Sequence, residues 1–351
     1  MIAPTSESTR AADPDGADGR VTKMETPEPA GPPDAPAFDR ASHGQQSPTH
    51  FGFVIAGVQK AGTTSLYWTI CAHDQIAPAK RKELHFFDNE KVDWSNPPYE
   101  RYHQKIQERK SAVLAGEASP RYLFWPGALE RMRAYNPEMR IILSFRDPIE
   151  RAFSHWTMSA GKRDWKWNFS ETIRRGRDSG WPRSRQEYGR NTAKTIVARG
   201  YYGAQLAHAL EVFPEQQFLL LDFHRLFANL EKSLDRVTRF LGVQPFAKPP
   251  DIPAANTSLQ NLVARPPTAD DISALAELYV DDLAKFADLS GIDVSTWPTM
   301  RLRAGTLSPA EVASRMSRRA SLVSPAPNVL RKVTKPDVAS SAEPITPAAS
   351  E

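Results

Sequence analysis

The sequence is poor in cysteine, in long apolar runs and in any excess of one charge. Cys71 is the single cysteine among 351 residues, which excludes an intrachain disulfide framework and a cysteine-built metal cluster. Its setting in the apolar run 66–72 reads as a small buried hydrophobe. No stretch approaches the roughly 18 consecutive apolar residues of a membrane span. The opening "MIAPTSESTRAADPDGADGR" has no apolar signal core, so a soluble, cytoplasmic protein without a transmembrane segment is expected. Lys and Arg total 45 against 41 Asp and Glu, a net charge of +4. Local basic clusters therefore matter more than the total. No basic patch with interleaved aromatics points to nucleic acid.

What is present divides into three parts. Residues 1–49 are rich in Pro, Gly, Ser, Asp and Ala and cannot bury enough apolar surface to offset the entropy of ordering, so a disordered tail is expected. Residues 300–351 read as a second, basic and mostly disordered tail. Between them, 50–299 alternates strand and helix. Nearly continuous apolar runs at 51–57, 111–118, 139–145 and 216–223 suit parallel strands covered on both faces. Helices are expected at 63–73, 126–135, 148–160, 200–213 and 229–241. Asp147-Pro148 supplies an N-cap with proline in the first turn, and Gly242 a C-terminal stop. The expected fold is one α/β domain with a central parallel sheet flanked by helices.

The first strand runs into "QKAGTTSL", where Lys60, Ala61, Gly62, Thr63, Thr64 and Ser65 form a strand-to-helix junction. Unpaired N–H groups and the positive end of the helix dipole favour an anion there. The glycine permits close backbone approach and the hydroxyls can donate. A nucleoside triphosphate loop requires G-x-x-x-x-G-K-[ST]; Lys60 precedes Gly62 and no Lys-Ser or Lys-Thr pair opens the helix. A phosphate-like ligand without a metal is expected. The second segment, "SFRDPIERAFSHW", puts Arg146 at the end of another strand and Ser154 about two helical turns on. An arginine fork with a hydroxyl suits a terminal phosphate monoester, although Arg146 could instead pair with Asp147 or Glu150. Both segments follow strands, at the carboxyl edge where open parallel sheets bind ligands.

These two motifs resemble the nucleotide-binding motifs of sulfotransferases that use 3′-phosphoadenosine 5′-phosphosulfate (PAPS). The likeness extends over about 51–298. It implies that the first loop holds the 5′-phosphosulfate and that Arg146 and Ser154 hold the 3′-phosphate. The intervening "KRKELHFFDNE" resembles the K-E-x-H-F-F-D segment of the heparan sulfate 3-O-sulfotransferase branch. By that resemblance Glu83 is the catalytic base, Lys82 a basic residue near the transferring group, and His85 and Asp88 supporting groups. Lys60 then stabilises the leaving group, with no metal required. Partial burial beside Phe86 and Phe87 would raise the Glu83 pKa and Lys82 would lower it. "GEASPRYLFWP" resembles the segment bordering the acceptor cleft, which makes Glu117, Arg121 and Tyr122 candidate acceptor contacts, while a turn packed by Pro120 and Tyr122 explains the segment equally well. Tyr201 is a candidate border of the site.

Two features depart from the eukaryotic heparan branch: the lone cysteine leaves no disulfide-bonded loop over the nucleotide, and no membrane anchor is seen. They suggest a bacterial-type enzyme whose acceptor is a hydroxyl or amine of a carbohydrate, glycolipid or small metabolite. Cover for the nucleotide would come from 256–267, with Asn256, Ser258 or Arg265. An ATP-dependent phosphotransferase and a non-catalytic nucleotide-binding scaffold are the rival readings.

Overall fold

The structure is a computed structural model that describes residues 47–160, 165–178, 181, 192–250 and 267–321. Five strands form its sheet: β1 (Phe51–Gly57), β2 (Ile76–Pro78), β3 (Leu114–Ala118), β4 (Arg140–Phe145) and β5 (Phe218–Asp222). Their order is β2-β3-β1-β4-β5, and every pairing is parallel. Alternate residues face opposite layers, yet both sets are apolar. Val54, Ala56, Ile141 and Leu143 join one core cluster, while Phe53, Ile55 and Ile142 join another across the sheet. Burial on both faces explains the unbroken apolar runs.

Helices α1 (Thr63–Cys71), α2 (Tyr99–His103), α3 (Ala128–Tyr135), α4 (Pro148–Ala160), α5 (Phe169–Gly176), α6 (Thr192–Ala198) and α7 (Tyr202–Val212) come first. Then follow α8 (Phe223–Ala228), α9 (Leu230–Leu241), α10 (Ala269–Ser290), α11 (Pro298–Arg303) and α12 (Pro309–Ser321). The Asp147 carboxylate accepts from the N–H groups of Ile149 and Glu150 at 3.0 and 3.1 Å, capping α4 as expected. Gly242, at φ 66°, ends α9.

Several boundaries differ from expectation for physical reasons. Residues 111–113 belong to the approach to β3, where Val113 is exposed and the Ser111 hydroxyl donates to the Asp74 carbonyl. Phe223 opens α8 rather than ending β5, because the Asp222 side chain accepts from Arg225 N–H and caps a helix there. β2 is an edge strand of three residues ending in proline, too short to show as an apolar run. The expected end of the domain at 299 is also revised. α12 lies beyond it, and its Val312, Ala313 and Met316 pack with Ile149, Phe153, Trp156 and Tyr279. The stretch expected as a tail from 300 is therefore helical and packed as far as α12. The tail residues 1–46 and 322–351, and the expected cover with Asn256, Ser258 and Arg265, lie outside the described residues.

The connection from β3 to β4 crosses from one side of β1 to the other. Such a crossing opens a crevice at the carboxyl ends of the strands. Residues 58–62 leave β1 there, 79–90 leave β2, 119–127 leave β3, and Arg146 and Asp147 leave β4. Four segments distant in sequence are thereby delivered to one edge.

Candidate active site

The loop after β1 is held by its own backbone and by β4. Val58 N–H donates to the Ser144 carbonyl at 2.9 Å, and the Ser144 hydroxyl donates to the Ala61 carbonyl at 2.8 Å. Lys60 adopts a left-handed φ of 79° and Gly62 one of 75°. Gly62 precedes α1 with no side-chain cap, and no acidic residue stands in the first turn, so this helix end keeps its positive character. Thr63 and Ser65 are buried, Thr64 half-buried. Glycine at 62 has a further reason, in the packing. A Cβ there would lie 2.7 Å from a Phe227 ring carbon and 2.8 Å from one of Phe223, so conformation and packing against α8 both demand its absence.

Arg146 is almost fully buried. Its Nε donates to Glu150 Oε2 at 2.9 Å and its guanidinium lies over the Phe223 ring, 5.0 Å from the centroid. The ion pair considered from sequence is thus present, but it occupies only the Nε edge. Glu150 Oε2 also meets His224 Nε2 at 3.1 Å. Burial opposes ionisation of Glu150, yet His224 and Arg146 outweigh it and bring the carboxyl down to about 2. Because Asp147 already caps α4, an anion here depends on the guanidinium rather than on helix N–H groups. Ser154 lies on α4, half-buried, with no hydrogen bond to Arg146 among the described residues. His155, in the same motif, contacts Arg151 at 3.3 Å.

Lys60 reports the charges around it. Its pKa is lowered to about 8, by burial first and then by Arg146 and Arg151, with Lys82 adding to the effect and Glu83 opposing it. Cations from both motifs and from the 80–90 loop therefore act on one ammonium. Like charges gathered in a partly desolvated place favour an anion between them. Arg151, fully buried, donates to the Ile196 carbonyl, and its Nε has no partner among the described residues.

The 80–90 loop carries the carboxylates. Lys82 Nζ meets Glu83 Oε1 at 2.7 Å and His85 Nε2 meets Glu83 Oε2 at 3.5 Å. His85 Nδ1 meets Asp88 Oδ2 at 2.9 Å, and Arg121 Nε donates to that same Asp88 oxygen. His85 foremost, and Lys82 with it, hold Glu83 down to about 2, outweighing burial; the Lys82 contact is the shorter of the two. Asp88 first and Glu83 second push His85 up to about 9. The direction left open by the sequence is thus downward, through a histidine the sequence placed only in support. Tyr201 stands half-buried ahead of α7.

Two proposed acceptor contacts are corrected. Glu117 and Tyr122 are both 0 % exposed and cannot touch an acceptor. Tyr102 and Tyr122 hydroxyls donate to Glu117 Oε1 at 2.7 and 2.8 Å, and the Ser119 hydroxyl donates to Oε2 at 2.8 Å. Arg121 remains part-exposed, bound to Asp88 and stacked over Trp125 at 4.4 Å. Sequence reasoning also missed Arg151, Phe223 and His224. Only Arg151 carried a local signal, as a second arginine one helical turn and a half after Arg146.

Comparison with known proteins agrees with this geometry. The family model described as "Sulfotransferase domain" matches residues 52–274. Human bifunctional heparan sulfate N-deacetylase/N-sulfotransferase 3 is 28% identical over 205 residues, 55% of this chain and 22% of that protein. Human heparan sulfate glucosamine 3-O-sulfotransferase 3B1 is 27% identical over 219 residues, 60% of this chain and 51% of that protein. The chain thus spans about half or less of the length of these relatives. A solved sulfotransferase from Alicyclobacillus acidocaldarius matches with a TM-score of 0.59 at 25% identity, over 71% of this chain and 98% of that one. With its motifs, sheet order and matched span in agreement, the chain belongs to the sulfotransferase domain family.

Proposed function

We propose that the protein transfers a sulfuryl group from PAPS to a hydroxyl or amine of a carbohydrate acceptor, or failing that a glycolipid or small metabolite. The observation that carries this reading is the group of cations around Lys60, beside an uncapped helix end. It has the composition of a site for a polyanionic donor. The N–H groups opening α1, with Thr63, Thr64 and Ser65, hold the 5′-phosphosulfate. The free edge of Arg146, with Ser154, holds the 3′-phosphate.

Glu83 takes the acceptor proton as the acceptor oxygen or nitrogen bonds to sulfur. The bond from sulfur to the bridging phosphate oxygen breaks in line with that attack, and Lys60 stabilises the charge gathering on the leaving oxygen. A carboxylate with a pKa of about 2 is a weak base while Lys82 and His85 both hold it. Lys82 turns to the sulfuryl oxygens when the donor is present, which releases one of the two. Asp88 and Arg121 orient His85, which remains at the other Glu83 oxygen.

Calorimetric titration with 3′-phosphoadenosine 5′-phosphate, against ATP with magnesium, tests the donor. Arg146→Ala is expected to weaken the bisphosphate by about 2 kcal/mol, roughly thirtyfold, and to leave ATP little changed. No binding by the unaltered chain, or equal binding by Arg146→Ala, overturns the donor assignment. Transfer from PAPS to heparan sulfate and to its desulfated form, followed by mass spectrometry, tests the acceptor class. Glu83→Gln is expected to keep nucleotide affinity and lose transfer; retained turnover removes the base role from Glu83.

A further inference from the structure

Three N–H groups of the 83–86 stretch donate to the end of β3 and the short segment that follows it. Glu83 N–H donates to the Ala118 carbonyl at 3.0 Å, His85 N–H to the Ser119 hydroxyl at 3.3 Å, and Phe86 N–H to the Tyr122 hydroxyl at 2.9 Å. Glu83 and His85 both hold left-handed φ values, 61° and 53°, which non-glycine residues adopt only when their surroundings fix them. The two hydroxyls that receive these amides pass their own protons to the two oxygens of Glu117. Three hydroxyls, those of Tyr102, Ser119 and Tyr122, donate to its two oxygens, so the Glu117 carboxyl serves here as an acceptor at both oxygens. It therefore sets the direction of both relays, turning the lone pairs of Ser119 and Tyr122 towards the loop.

We propose that Glu117 is a positioning residue for the catalytic loop, a buried acceptor that fixes the backbone of His85 and Phe86 through Ser119 and Tyr122, and through them the aim of Glu83. This rests on the assignment of Glu83 and His85 to the reacting centre. Burial raises the Glu117 carboxyl pKa, and the hydrogen bonds from Tyr102, Tyr122 and Ser119 oppose it. Tyr102, which donates to the same oxygen as Tyr122, anchors the hub against α2 and the aromatic cluster of Phe86 and Phe87. The arrangement gives Glu117 a role that its burial would otherwise hide: it never meets substrate, yet the geometry of two groups that do is built on its two acceptor oxygens.

Glu117→Gln preserves shape and reverses polarity at one atom. The amide N–H₂ aims a donor at a hydroxyl whose own proton had pointed there, so that hydroxyl must accept from the amide and turn its proton elsewhere. The full chain carrying this change is examined by imidazole ¹⁵N NMR across pH and by calorimetry with 3′-phosphoadenosine 5′-phosphate. His85 is expected to titrate about one unit or more below the wild-type value of about 9. Nucleotide affinity is expected to stay within about threefold, and turnover on heparan sulfate to fall about tenfold at unchanged donor KM. A merely structural role would lower the melting temperature and leave the His85 titration in place; that result overturns the proposal. If Glu117→Gln does not fold, Ser119→Ala and Tyr122→Phe cut the relays singly with the carboxylate retained, and the same His85 readout decides. Wild-type protein that neither binds the nucleotide nor transfers sulfate would instead defeat the functional reading, and leave the His85 measurement to judge the hub by itself.

Discussion

At the scale of single residues, the site is read through displaced protonation equilibria. Lys60 has its pKa lowered to about 8 from the ordinary 10.5 by burial and by neighbouring cations. Below pH 8 the free protein holds this ammonium at a cost in stability. That cost is relieved as pH rises from about 8 to 10.5, where the unfolded chain keeps a proton that the folded chain has lost. A bound polyanion reverses the preference by stabilising the ammonium. Binding of 3′-phosphoadenosine 5′-phosphate near pH 8 is therefore expected to take up a proton, and affinity to fall as pH rises through that value. Calorimetry in buffers of differing ionisation enthalpy measures the uptake, and Lys60→Met should abolish it; equal enthalpies in every buffer for the unaltered chain would contradict it. The sequence made these residues legible as a set: the position of Lys60 ahead of Gly62 already spoke against a triphosphate loop. For Glu117 and Tyr122 it left acceptor contact and a packed turn equally open, and only the tertiary fold, which encloses both, decides against acceptor contact.

Among the elements, α1 and its loop are the most exacting. Ala at position 62 would have to accept a φ of 75° and a Cβ pressed into two phenylalanine rings. Gly62→Ala is expected to destabilise the protein by about 2–4 kcal/mol, seen as a lowered urea midpoint at unchanged slope. An unaltered midpoint would mean that the loop and α8 are free to shift. The capping box of α10 makes a milder test. The Thr268 hydroxyl accepts from Asp271 N–H and the Asp271 carboxylate from Thr268 N–H, so Thr268→Ala should cost about 1 kcal/mol. That box was a legible signal of a 22-residue helix absent from the expectations. Ile272, Leu275, Tyr279, Leu283 and Phe286, its buried residues, recur at helical spacing. By contrast β1 was read to the residue, since strands covered on both faces leave an uninterrupted apolar trace. β2 was not, since three residues carry no period.

For the molecule as a whole, the proposed nucleotide binding would be linked to stability. Arg146, Arg151 and Lys82 all repel the Lys60 ammonium, and among the described residues only Glu83 and Glu150 form ion pairs with members of the group. A bound bisphosphate relieves the repulsion and favours the folded state. At a hundred times its dissociation constant it should add about 2.7 kcal/mol, raising the melting temperature by about 5–10 °C. Differential scanning calorimetry with the bisphosphate and with adenosine alone checks this; equal shifts would place the gain in the base rather than in the phosphates. The overall architecture was visible in the alternation of strands and helices. The extension through α12 was not, because "SPAEVASRMSRRA" is mostly polar and contributes only a narrow apolar stripe to a core assembled from α4, α5 and α10.

Phe223 touches both halves of the crevice: one edge faces Gly62, and the Arg146 guanidinium lies over its face. A benzene ring cannot be compressed or bent. The interval between the two proposed anion subsites is therefore gauged by a rigid object rather than by two loops adjusting independently. A donor whose phosphate groups are spaced otherwise must displace that ring and, with it, the start of α8. On the proposed donor assignment, selectivity for the spacing of phosphates, beyond their number, is in this way expected of a residue that carries no charge.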